Sequence, residues 1–233
     1  MKDKKFSFKG FGIGLLTIIF YFLFSNFLMT LLLKKYPGNS KIFSVYYLIV
    51  SIATLLVVFS VYRIQIIKYY NDFKKHYKEY IKTAFGYWIK GFFIMIVSNY
   101  ILTIILKIGQ STNELENIAL LKNSIIAHSI NILLVAPFLE EIVFRLSFNK
   151  MSQNKHIFSF ITGIIFGFIH IITSLSLKNP LNILILIPYS AMGVALGYAY
   201  KETDNIFSSL FMHILHNSIS LFIIIISIIG GLI

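Results

Sequence analysis

The chain has 233 residues, of which 57% are hydrophobic and 23 are Phe; 21 Lys+Arg stand against 9 Asp+Glu, a net charge of +12, and there is no Cys. This apolar share exceeds the roughly 45–50% of a soluble domain, so the composition points to lipid. The missing cysteines exclude disulfides, thiolate metal sites and a cysteine nucleophile.

Uncharged runs lie at 10–33, 42–62, 91–106, 123–139, 156–177, 179–200 and 205–233. Most reach or approach the ~20 residues that a helix needs to cross ~30 Å of hydrocarbon, which predicts an all-α, polytopic membrane protein of about seven transmembrane helices. The two short runs, 91–106 and 123–139, are expected to extend past Lys90 and Lys122, whose ammonium groups can snorkel to the interface. The first run follows Lys2, Lys4, Lys5 and Lys9. It is too long for the apolar part of a signal peptide and lacks a small-x-small cleavage site, so it reads as a retained helix.

The distribution of the basic residues matters more than their sum. With the N-terminus inside, the inside segments hold Lys2, Lys4, Lys5 and Lys9, Arg63 to Lys82, Arg145, Lys150, Lys155 and Lys201. Lys34, Lys35, Lys41, Lys107 and Lys178 fall on the other side. The positive-inside rule accounts for this asymmetry without nucleic acid. The stretch "RIQIIKYYNDFKKHYKEYIK", 63–82, fits either a solvated inside loop or a basic amphipathic helix along anionic lipid. No internal repeat or low-complexity linker is visible. The division expected is an N-terminal set of helices with the basic loop, 1–118, and a membrane region, 119–233, to which the family resemblance given below assigns catalysis.

Ionisable and polar groups at membrane depth concentrate in the second half: His128, Glu140, Glu141, Arg145, His170, His213, His216 and Asn217. Such groups cost ~2.5–3.5 kcal/mol each on insertion scales and default to functional hypotheses. In "EEIVFR", 140–145, Glu141 and Arg145 are i,i+4 neighbours suited to an ion pair. Glu140 points about 100° away, free to face a cavity. The alternative is a pair of interfacial glutamates marking a helix end. Pro137 should kink the helix and free backbone carbonyls.

In "FGFIH", Phe166 and His170 are i,i+4, so the aromatic can fix an imidazole able to exchange a proton near pH 7. A packing histidine is the plain alternative. Gly163 and Gly167 form a small-xxx-small step for close helix approach. In "HILHN", His213 and Asn217 are i,i+4 and can both donate to one point, as an oxyanion requires. A zinc reading would join His213 and His216 to Glu140, but the metalloprotease spacing of two histidines bracketing a glutamate is absent. His76 and His156 read as solvated, and His128, near Lys122 and Asn131, as a polar lining residue.

The order EExxxR, then FxxxH, then HxxxN, each on its own transmembrane helix, resembles the CAAX protease and bacteriocin-processing family, relatives of the type II CAAX prenyl endopeptidases and intramembrane glutamic proteases. The resemblance covers roughly 119–220. It implies that Glu140 and His170 activate a water, that His213 and Asn217 stabilise the oxyanion, that Glu141 and Arg145 support Glu140, and that Phe166 lines the substrate cavity. No metal and no cofactor are implied.

The expected partners are a peptide or membrane-protein substrate and the lipid bilayer, in a cell membrane with the N-terminus cytoplasmic. The Phe-, Ile- and Lys-rich composition fits a low-GC bacterium, which favours a leader-bearing peptide such as a bacteriocin or pheromone precursor, or a membrane regulator, over a prenylated protein. A non-proteolytic immunity or scaffold protein is the alternative. A proton-coupled transporter would show inverted repeats and broken helices in both halves, and neither is visible.

Overall fold

The computed structural model describes residues 6–35, 40–175 and 179–232. Lys2, Lys4, Lys5 and Lys178 lie outside these residues, as does the side chain of Lys41. Among the described residues there is no β-strand, and the elements are α1 (Phe8–Lys35), α2 (Ser40–Tyr100), α3 (Thr112–Asn123), α4 (Ile125–Ile130), α5 (Ala136–Glu141), α6 (Lys155–Ile171), α7 (Leu186–Thr203) and α8 (Ile206–Ile229). A widened, i to i+5 turn at Asn131–Val135 joins α4 to α5, and a second at Ile142–Leu146 continues α5, so that Ile125–Leu146 forms one rod.

Among the described residues six helices are long and apolar enough to cross a membrane, where the sequence reading expected seven. The difference lies in α2. Its 61 residues would extend about 92 Å if straight, three times the ~30 Å hydrocarbon layer. The contacts require it to bend. Near its start, the Ser44 hydroxyl donates to the Leu120 carbonyl (2.8 Å). Beyond its end, Leu102 and Ile108 pack with Ile171 and Ile185, and Ser111 bonds Tyr189 (2.7 Å). Leu120 and Ser111 are joined by α3, which is only about 18 Å long. The apolar runs 42–62 and 91–106 are therefore two arms of one helix, and 63–82 is the helical region between them rather than a loop. There Asp72 accepts from Tyr80 (2.8 Å) and from Asn205 (3.0 Å).

The basic segments gather at one end of the bundle. Gly10 meets the Lys150 backbone, Lys201 Nζ donates to the Asn149 carbonyl (3.1 Å), and Asn205 donates to the Tyr69 carbonyl (2.8 Å). Arg145 departs from the expectation of a basic inside residue: it is fully buried and paired within the protein. The rod also does not continue back over Lys122. Ser124 interrupts it, accepting the Ala127 N–H (3.3 Å) as an N-cap, and the extra length comes at the other end, through Leu146.

The helix starts follow from side-chain oxygens that replace missing backbone partners. Ser111 caps α3, Asn154 caps α6 and Asn205 caps α8. Asp204, in the left-handed region (φ 45°), ends α7 and makes the short link to α8. The small-xxx-small step of α6 meets a matching one on α7. A Cβ on Gly163 would lie 2.5 Å from the Val194 backbone nitrogen, one on Gly167 would collide with the Ser190 hydroxyl, and one on Gly193 would lie 2.7 Å from the Gly163 carbonyl oxygen. Outward faces carry bare apolar side chains such as Leu23, Phe93, Ile126 and Phe222, as a lipid-facing surface requires.

Gly163→Val should therefore separate α6 from α7 and lower stability by at least ~1–3 kcal/mol, read as a lower unfolding midpoint in detergent. Gly12→Ala, whose Cβ would meet nothing within 4 Å, should leave the midpoint unchanged or raise it, because it removes only backbone freedom.

Candidate active site

Three helices bring the motif residues together. The α4–α5 rod supplies Glu140, Glu141 and Arg145, α6 supplies Phe166 and His170, and α8 supplies His213 and Asn217. The two acidic residues sit on the last turn of α5, between the two widened turns. Such turns rotate the residues that follow relative to a regular helix and recur at functional sites.

Glu141 is fully buried and faces two partners. Arg145 Nε lies 3.5 Å from Glu141 Oε2, with both side chains at 0% exposure. His213 Nδ1 is 3.0 Å from Glu141 Oε1. Arg145 also donates to two backbone carbonyls, Gly193 (Nη2, 3.0 Å) and Thr162 (Nη1, 3.4 Å), and its guanidinium lies 5.4 Å from the centre of the Phe166 ring. Glu141 thus touches His213 and not Glu140. The i,i+4 pair anticipated from the spacing is present, and it serves the α8 histidine.

Glu140 has no such partner. Its side chain keeps 18% exposure, and its Oε2 faces two imidazole nitrogens, His213 Nε2 at 3.6 Å and His170 Nε2 at 3.8 Å. Both separations exceed a direct hydrogen bond and suit contacts made through an intervening water. The other nitrogen of each ring is committed: His213 Nδ1 to Glu141, and His170 Nδ1 to the Phe166 carbonyl (2.8 Å). Because a backbone carbonyl can only accept, His170 carries a proton on Nδ1, and in the neutral ring its Nε2 turns a lone pair toward Glu140.

Ring packing fixes the imidazoles. Phe166 lies 4.2 Å from the His170 ring and 5.8 Å from that of His213, and Phe144 closes on Phe166 edge-to-face at 5.4 Å. Tyr189 also stacks on His170, at 5.4 Å. Tyr189 and Phe144 were not singled out in the sequence. Tyr189 sits in an otherwise apolar run after Pro188, where a lone aromatic is no signal, and Phe144 reads as one more apolar residue within EExxxR.

Asn217 lies one turn beyond His213, and its Nδ2 donates to the Ile132 carbonyl (2.9 Å) at the first widened turn. His216 is turned away, edge-on to Phe92 at 6.1 Å, and does not join Glu140. His128 is buried, with Nε2 3.0 Å from Asn117 Oδ1. His76 and His156 are exposed, beside Asp72 and Tyr198. Among the described residues, no group of three or more His, Cys, Asp and Glu is spaced to hold a metal ion.

The first half of the chain packs beside the site: Phe59 of α2 lies edge-on against Phe138 (6.1 Å).

No curated protein and no solved structure matches the chain. Residues 122–219 match the family model described as type II CAAX prenyl endopeptidase Rce1-like. This stretch begins just before the α4–α5 rod and ends just after Asn217, so it holds every side chain that converges on Glu140 from the rod, α6 and α8. The chain is an all-helical, multi-pass membrane protein, and the stretch that carries these side chains is similar to the Rce1-like type II CAAX prenyl endopeptidases.

Proposed function

We propose that the chain is an intramembrane glutamic endopeptidase that hydrolyses a peptide bond of a peptide precursor or a membrane protein. The observation that carries this reading is the convergence of His170 Nε2 and His213 Nε2 on one unpaired carboxylate oxygen of Glu140. Two acceptors facing each other across 3.8 Å, the Glu140 carboxylate and the His170 lone pair, suit one water donating to both. Glu140 takes a proton from that water as the oxygen attacks the scissile carbonyl, and His170 orients it. The negative charge passes to the carbonyl oxygen, and collapse of the tetrahedral intermediate returns the proton to the leaving amine.

The oxyanion needs donors aimed at the oxygen as charge develops. His213 Nδ1 faces Glu141 Oε1 at 3.0 Å, which leaves its Nε2, when it carries a proton, to donate to the oxyanion. Asn217 adds the second of its amide N–H groups, the first being on Ile132. Arg145 holds Glu141 in place. No step of this scheme calls on a metal. Phe166 and Tyr189 both pack on the His170 ring and line the approach to it. With the basic end of the bundle in the cytoplasm of the cell, as the positive-inside rule favours, Glu140 lies toward the inner face and cleavage occurs there. A leader-bearing peptide or a membrane regulator is the substrate class that this placement serves.

Membranes carrying wild type and Glu140→Gln, compared by mass spectrometry of released and cell-associated peptides, test the reaction. A cleaved peptide present with wild type, persisting after treatment with a chelator and lost in the variant despite equal insertion, is the expected result. Unchanged peptides would remove Glu140 from the role of water activator. The orientation can be read independently, since the chain has no Cys. A single cysteine replacing Lys75 should react with an impermeant thiol reagent only in opened cells, and one replacing Lys107 should react in intact cells; the reverse pattern would invert the topology.

A further inference from the structure

The Ile132 carbonyl occupies a position that the backbone cannot serve. In the widened turn Asn131–Val135, the Ala136 N–H bonds the Asn131 carbonyl, five residues back. Ala136 is the donor that Ile132 would have in a regular helix, and it is already used. In the widened register the donor for Ile132 would be residue 137, which is proline and has no N–H. A buried carbonyl without a donor is costly, above all in a bundle surrounded by lipid. The donor comes from another helix: Asn217 Nδ2, at 2.9 Å.

The consequence reaches the reaction. A primary amide is planar and its two N–H groups point about 120° apart, so anchoring one on a fixed carbonyl sets the direction of the other. Asn217 lies one turn from His213 on the same face of α8. We infer that Pro137 is a positioning residue for Asn217: by withholding an N–H from Ile132 it reserves that carbonyl for the Asn217 amide and aims the remaining N–H alongside His213. The pairing itself stands on backbone register alone, and only its effect on turnover rests on the proteolysis proposed above.

Pro137→Ala restores an N–H at residue 137 and gives Ile132 a donor from its own helix. Asn217→Leu keeps the volume and removes the donor. The two changes, singly and together in the full chain, form a cycle with two readouts. In detergent, Asn217→Leu should lower the unfolding midpoint by about 2–4 °C when residue 137 is proline, and should cause little or no further drop when it is alanine.

On the substrate identified with wild-type membranes, Pro137→Ala should lower kcat about tenfold or more with KM within about twofold, and Asn217→Leu should add little to that loss. Pro137→Ser, which also restores the N–H, takes the place of Pro137→Ala if the latter does not insert. Additive thermal shifts, or a Pro137→Ala chain with wild-type kcat, would overturn the inference. Thermal coupling in a chain that cleaves nothing upholds the pairing and overturns only the proteolysis.

Discussion

The site depends on burying one guanidinium. Arg145 has 0% exposure within a bundle surrounded by lipid, and a buried charge is tolerable only when it is paired and its hydrogen-bonding groups are met. Glu141 supplies the counter-charge across 3.5 Å, and the Gly193 and Thr162 carbonyls take two of the five N–H donors. They can reach because Gly163 and Gly193 let α6 and α7 approach until a single added carbon would clash. The glycine crossing, the arginine and the glutamate are thus one arrangement. Its product is a fixed Glu141 oxygen that holds His213 by Nδ1.

Glu140, one residue away, is left with the opposite environment. Among the described residues no lysine or arginine pairs with it, its side chain keeps part of its exposure, and two imidazoles are turned on it without closing to hydrogen-bond distance. Neighbouring carboxylates with one bound in a closed ion-pair network and one left open are a recurrent way to divide structural and acid–base work. The widened turn after Glu141 contributes as well. There the Ser147 N–H bonds Ile142 rather than Val143, and the Ser147 hydroxyl takes the Val143 carbonyl instead, so the extra residue is absorbed without an orphaned acceptor.

Much of this was legible in the sequence. The apolar runs gave the membrane class, the i,i+4 spacings gave the Glu141–Arg145 and Phe166–His170 contacts, and Gly163 with Gly167 marked a helix crossing. Three features were not legible. The continuous α2 has no local signature, because a charged stretch with good helix formers reads equally well as a solvated loop, and only contacts at both ends show the bend. Arg145 was counted among loop charges because its acceptors are backbone carbonyls, which every residue has. The Asn217–Ile132 bond joins positions 85 residues apart, and although Pro137 announced a freed carbonyl, spacing alone could not say which helix would supply the donor. Phe59, packed on Phe138, shows further that the half of the chain without a family match packs against the rod that carries the site.

The role of Glu140 as a general base, rather than a nucleophile that forms an acyl anhydride, is tested most directly by one turnover in ¹⁸O-water, followed by mass spectrometry of the product and of the peptide that contains Glu140. Direct attack by a water that Glu140 deprotonates places one ¹⁸O in the new carboxyl group of the product and none in the Glu140 side chain. Label in the Glu140 carboxylate after that single turnover would contradict this role and make Glu140 the attacking group.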